Sequence, residues 1–299
     1  MSAVKPFAIG DAPGWRAATL GPAVAVYLLL ALLPVVNLLV MAVHDIRWVD
    51  GAGQWTFVGA KHFGALTGDP LLKAGTLNTV VFAFCAVAVE MAIGLALALM
   101  VGRIGRGRVF YRTVFLLPVL IPGIVIGAIW KLMYNPDFGI INQLFGLIGL
   151  AGRDWLGDGG LALASVITVD VWHWTPFVFL LMLAAIESLP KEAHEAAIID
   201  GAGTWQEFRH VTFPMLLPAF TVTLVFRLIV SFKVFDEVYL LTGGGPGTAT
   251  EVISFTIYRR FFTEDRMGYG SAISVLALFA LAILIVLALG AAKRREYRQ

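Results

Sequence analysis

Three ionisable residues, Glu90, Asp170 and Arg227, each lie within a long apolar stretch of the chain. A charge at the centre of a hydrocarbon layer costs roughly 3 kcal/mol on insertion scales, and it is kept where it meets a partner or a water-filled path. Two uses follow from these types and positions. Arg227 can be tied to Glu90 or Asp170 in an internal bridge that only holds helices together. Alternatively, Arg227 and Ser231, four residues apart and so on one helical face, present a cation and a hydroxyl to a polar solute, anionic solutes included. Trp172, followed by His173 and Trp174, brings aromatic surface to the same region, either to stack on a ring or to pack and anchor. Covalent chemistry has little to work with. The chain has no GxxxxGK[ST] phosphate loop, no GxSxG, no HExxH and no paired CxxC, and its five histidines lack ligand spacing. Its one cysteine, Cys85, reads as a small buried hydrophobe.

A second group of residues sits in a charged interruption from Leu189 to Pro218. Pro190 suits the first turn of a helix, Glu192 and Glu195 favour its opening turns, and Asp200-Gly201 supplies a break. Thr204 and Glu207 have the spacing of a capping box for a second helix, with Pro214 expected to end it. Ala196, Ala197 and Ala202 are small enough to let another protein's backbone approach closely. The same pattern also describes a well-capped, solvated connector.

Membrane-spanning helices must position both groups. The 299 residues are 59% hydrophobic and 14% charged, against about 25% charged in soluble domains, and the mean hydropathy is +0.83. A span needs about 20 helical residues. Runs of that length predict an all-α integral membrane protein with six transmembrane helices: Leu20–Val43, Leu77–Val101, Val109–Met133, Leu161–Ile186, Met215–Leu241 and Ser271–Ala292. They divide the chain into an N-terminal segment (1–19), a six-helix domain (20–292) and a basic tail (293–299). Arginines crowd the second connection (Arg103, Arg106, Arg108, Arg112), and the tail carries Lys293, Arg294, Arg295 and Arg298. The positive-inside rule therefore puts both termini and the 189–218 loop in the cytoplasm, with Lys5 and Arg16 on the same side. The N-terminus lacks the form of a cleaved signal peptide. A net charge of +2 without alternating basic and aromatic residues gives no reason to expect nucleic acid.

Glu195-Ala196-Ala197, then Asp200-Gly201 three residues on, then Phe208, Pro214 and Pro218, resemble the EAA motif of binding-protein-dependent ABC importer permeases. Further segments resemble the carbohydrate branch of that family, of the maltose and glycerol-3-phosphate type. These are Asn78-Thr79, Arg112-Thr113, Leu117-Pro118, Pro122, Trp172, Pro176-Phe177, Phe235-Asp236 and Leu241 to Pro246, within a likeness covering roughly residues 57 to 290. The glycine-rich segment before Pro246 is similar to that of the first of two permease partners. Val211 stands where isoleucine is usual, and the extra N-terminal helices and large periplasmic domain of the maltose permease are missing.

The resemblance implies the type I ABC importer permease fold in a bacterial inner membrane. It also implies a second permease, two cytosolic ATPases that bind ATP and magnesium, an extracytoplasmic solute-binding protein, and a carbohydrate as the translocated solute. This chain itself would hold no cofactor or metal and would not be an enzyme. Glu195, Ala196, Ala197, Asp200, Gly201, Ala202, Phe208 and Pro214 would form the coupling element seated in the ATPase. For the substrate path the resemblance favours Trp172, Arg227 and Ser231, to which the intramembrane charges add Asp170 and Glu90. Two other readings stay open on residues alone: an ion-coupled carrier using Glu90, Asp170 and Arg227 as a relay, and a membrane scaffold whose loop recruits a cytosolic partner.

Overall fold

A computed structural model describes residues 13–104 and 107–296. Lys5, Arg106 and Arg298, and the side chains of Arg16, Arg108, Lys293, Arg294 and Arg295, lie outside what is described. In chain order the elements are α1 (Pro13–Ala42), β1 (His44–Val49), β2 (Ala52–Phe57), α2 (Lys61–Leu66), α3 (Pro70–Gly102), α4 (Arg108–Leu116), α5 (Gly123–Met133) and α6 (Ile140–Leu147). They continue with α7 (Ala162–Glu187), α8 (Lys191–Ile199), α9 (Thr204–Glu207), α10 (Phe213–Ser231), α11 (Asp236–Leu241), α12 (Ile253–Tyr258) and α13 (Met267–Glu296).

Five of the described helices are long and apolar enough to cross a bilayer, where six were expected. The difference lies in the third run. Val109–Met133 is not one helix: α4 stops at Leu116, a short tight turn follows at Pro118–Leu120, and α5 starts only at Gly123. Prolines cause the break: Pro118 and Pro122 lack N–H donors, and Ile121, before Pro122, is extended. The fifth run is also shorter than expected, with α10 closing at Ser231 and a separate α11 beginning at Asp236. Residues 44–57 correct the all-α expectation locally. They form an antiparallel hairpin whose two-residue turn, Asp50-Gly51, has positive φ at both positions, as tight hairpins require.

The described chain divides into two units. One holds the residues up to Thr67 together with Arg260–Leu276, and so contains α1, the hairpin, α2 and the start of α13. In the span Ala18–Ala42 only the last residue, Ala42, is buried, so α1 presents apolar surface all round along the rest of its length, as a lipid-facing helix does. The other unit holds Gly68–Arg259 with the remainder of α13. Its organising helix is α3, capped by Asp69, whose Oδ1 accepts the backbone N–H groups of Leu71 and Leu72 at 2.9 and 3.3 Å. The buried residues of α3, from Leu72 through Phe82, Ala86, Glu90 and Gly94 to Val101, recur at three- and four-residue intervals and form one stripe. Opposite stands α7. Two apolar clusters fill the space around these helices, one centred on Phe82, Ile126 and Val169, the other on Met91, Phe179 and Met182. Cys85 lies off the stripe and is exposed, contrary to the expectation of a buried thiol.

The glycine-rich segment after α11 folds back on the start of α3. Asn78 donates to the carbonyls of Thr248 and Glu251 at 2.8 and 2.9 Å, and Thr79 Oγ1 accepts from the Ile253 N–H at 2.9 Å. Two stretches noted separately in the sequence are thus the two sides of one joint.

Candidate functional site

The buried charges meet where α3, α7 and α10 converge. Gly94 makes the approach possible: a Cβ there would lie 2.6 Å from a Val178 methyl and 3.0 Å from the Phe179 backbone nitrogen. One turn away on the same face of α3, Glu90 reaches Arg227. The Arg227 guanidinium grips it with a fork, Nε to Oε2 and Nη2 to Oε1, both at 2.6 Å. Nη2 also donates to Asp170 at 3.0 Å and to Ser231 at 3.1 Å, and the indole of Trp174 lies 4.6 Å from the guanidinium carbon. Arg227 and Glu90 are wholly buried, and Asp170 and Ser231 nearly so. Both acids considered as bridge partners are therefore engaged at once. The aromatic residue beside them is Trp174, because 170 and 174 share a face of α7. Trp172 points elsewhere, edge-on to Trp130 at 5.7 Å.

Next to this cluster a cavity of about 310 Å³ opens, lined by Asp170, His173, Trp174, Lys233, Asp236 and Glu237 among others. His173 Nδ1 lies 3.3 Å from Glu237 Oε1, with both side chains buried. Sequence reading missed Glu237 because it lies beyond the predicted centre of the fifth run. Only the break after Ser231 turns it inward.

The 189–218 segment is two helices, as its punctuation predicts, with finer joints. Pro190 precedes α8 as its cap residue. At the other end Gly201 has φ +72°, its N–H bonds to the Ile198 carbonyl at 3.0 Å, and the Ala202 N–H bonds to the Ala197 carbonyl at 2.9 Å. That is a Schellman closure, which wants glycine at this position. Ala197 is buried, while Glu195, Ala196, Ile198, Ile199 and Asp200 are exposed.

The expected Thr204–Glu207 capping box does not form. Gly203 caps α9, and Gln206 Oε1 accepts the Gly203 N–H at 3.0 Å. Glu207 instead clasps the two helices, bonding His194 Nδ1 of α8 at 2.7 Å and receiving Thr212 Oγ1 at 3.3 Å. Nor does Pro214 end the second helix. A wide π turn, Phe208–Thr212, carries α9 straight into α10, and Pro214 is the second residue of α10, directly after that turn. Rings of Trp205, Phe208, Phe213 and Phe220 follow one another along this path at 5.5–5.7 Å. At the foot of the loop Arg112 of α4 holds Glu187 of α7 at 2.7 Å. An open groove of about 680 Å³ runs along α8, bounded by Leu99, Arg103, Leu189, His194 and Thr204 among others.

A helix pair clasped to itself is thus continuous with an apolar helix long enough to span a bilayer, in a bundle with a buried ion network. The chain belongs to the family of binding-protein-dependent transport system inner membrane components, which it matches over residues 90–296. It is 38% identical over 257 residues to a probable ABC transporter permease of Bacillus subtilis, YurN, covering 85% of this chain and 87% of that one. With the trehalose/maltose transport system permease MalF of Thermococcus litoralis it shares 35% identity over 279 residues, 91% of this chain and 93% of the other. Its fold superposes on a chain of a bacterial ABC transporter that imports the acidic polysaccharide alginate, with a TM-score of 0.81 and 25% identity over 93% and 94% of the two chains. It is therefore an ABC importer permease, and the carrier and scaffold readings fall away.

Proposed function

We propose that this chain carries a sugar, polyol or sugar-derived solute into the cytoplasm as one half of a permease heterodimer. Two ATPase subunits, which bind the ATP and magnesium, drive it, and an extracytoplasmic binding protein supplies the solute. Both termini and the 189–218 loop face the cytoplasm in this reading, the permease has no enzymatic activity of its own, and residues 20–292 act as one transport domain. The carbohydrate class rests on relatives such as the trehalose/maltose permease. Arg227 is already matched by Glu90 and Asp170, so the cation that the cavity lining offers a solute is Lys233. Asp170 and Trp174 at the cavity wall offer a hydrogen-bonding group and a ring face of the kind a sugar uses. Arg227, Glu90 and Ser231 hold that wall in place from behind.

The observation that carries the coupling reading is the exposed row Glu195, Ala196, Ile198 and Ile199 on a helix locked by the Gly201 closure and the Glu207–His194 clasp. Apolar side chains left in the open beside an acid are what a docking helix presents. The test is co-purification of the ATPase and ATP-dependent uptake in proteoliposomes with Glu195→Lys and Gly201→Asp. Both variants are expected to insert normally and to lose ATPase association or transport. Wild-type uptake by either would refute the coupling role.

A further inference from the structure

The hairpin after α1 has two unlike faces. In its register His44 faces Phe57, Ile46 faces Trp55 and Trp48 faces Gly53, so side chains at these positions lie on one side of the ribbon. Asp45, Arg47, Gln54 and Thr56 lie on the other, with Asp45 and Arg47 paired at 3.5 Å. On the first face Ile46 is buried, but the three large rings are open: Trp48 is 57% exposed, Trp55 48% and Phe57 70%. His44 packs edge-on against both Trp55 and Phe57, at 5.8 and 5.4 Å, which sets the rings in place. A two-stranded ribbon with one apolar side left in water is marginally stable. Something covers that side in the working protein.

We infer that the cover is the headgroup region of the bilayer and that the Trp48, Trp55 and Phe57 face is an interfacial anchor. Three features of the same unit point to lipid. The strand begins at His44, with only Val43 between it and the end of α1 at Ala42, so the hairpin emerges at the depth where the hydrocarbon stops. The helix leading to it is apolar on every side, so the aromatic face continues a lipid-facing surface. Tryptophan is also the side chain that partitions best into the headgroup layer, apolar body inward and N–H toward water. The opposite face, with Asp45, Arg47 and Gln54, is composed for water.

The test labels single cysteines with a bimane fluorophore at Trp48, Phe57 and Gln54, each in a Cys85→Ala background. The complete transporter is reconstituted in vesicles of phosphatidylcholine with or without brominated acyl chains. Labels at 48 and 57 are expected to be quenched by brominated lipid at least about twofold more than the label at 54, with aqueous iodide showing the reverse order. Equal quenching by lipid at 54 and 57 would overturn the anchor. So would protection of 48 and 57 from both quenchers, which would mean that a protein partner covers the face. If the Trp48→Cys chain fails to assemble, the comparison of Phe57→Cys with Gln54→Cys decides the matter alone.

Discussion

Replacing Arg227 with leucine would strand two carboxylates that no other cation among the described residues bonds. The guanidinium now supplies two bonds of 2.6 Å to Glu90 and one of 3.0 Å to Asp170. Removing one member of a buried ion pair costs about 3–5 kcal/mol, because the surviving charge stays desolvated and loses its compensation. The contact with Trp174 is lost as well, worth up to about 2 kcal/mol when desolvated. Proton uptake by one stranded acid recovers part of this, which places the expected loss for Arg227→Leu near 3 kcal/mol. The triple variant Arg227→Leu, Glu90→Leu, Asp170→Asn removes all three charges of the cluster. Since apolar replacement of a complete buried pair is often neutral, its stability is expected within about 1 kcal/mol of the wild type. Equilibrium unfolding by SDS in mixed micelles, followed by tryptophan fluorescence, measures both variants. An Arg227→Leu chain that unfolds at the wild-type midpoint would refute the claim that these groups form one coupled network. Uptake by the triple variant then separates two roles. Full transport at restored stability makes the cluster a pure helix tie, and lost transport at restored stability puts it on the solute path.

Gly94→Val is expected to force α3 away from α7, costing about 1–3 kcal/mol or more by overpacking, with Gly94→Ala intermediate; size-exclusion profiles and unfolding midpoints check the order. Gly201→Ala meets no atom within 4 Å, so its expected cost of about 1 kcal/mol is purely that of a left-handed φ. It should slow uptake without abolishing it, unlike Gly201→Asp. Glu207→Ala opens the clasp to His194 and is expected to uncouple ATP hydrolysis from uptake, seen as a raised ratio of phosphate released to solute carried. An unchanged ratio would show that the clasp is dispensable.

The sequence was legible where one physical signal dominated. Long apolar runs located α1, α3, α7 and α13 to within a few residues of their ends apart from the N-terminal sides of α1 and α3, because only a helix satisfies its own backbone in lipid. The same signal misled at Val109–Met133, where hydropathy is blind to Pro118 and Pro122, and at Met215–Leu241, where it ran past the break after Ser231. The hairpin announced itself in Asp50-Gly51 between alternating Ile46, Trp48, Trp55 and Phe57, a pattern overshadowed by the expectation of helices throughout. In the loop, punctuation gave the helix pair and its glycine joint. The Glu207 clasp was hidden because a capping-box spacing and a reach across to His194 use the same residue. The partners of Arg227 could be narrowed to two acids by depth, but three-dimensional convergence was needed to show that both bind.

The helical path from Thr204 to Ser231 has no non-helical residue in it. Arg227 stands 23 residues beyond Thr204, about 35 Å along the axis at 1.5 Å per residue. Treated as a lever, such a rod that swings by about 5° around its loop end moves the guanidinium sideways by roughly 3 Å. That displacement is as long as the hydrogen bonds Arg227 makes, so Glu90 and Asp170 either travel with it or let go. A small angular input at one end would therefore be read at the other as a choice between two sets of bonds.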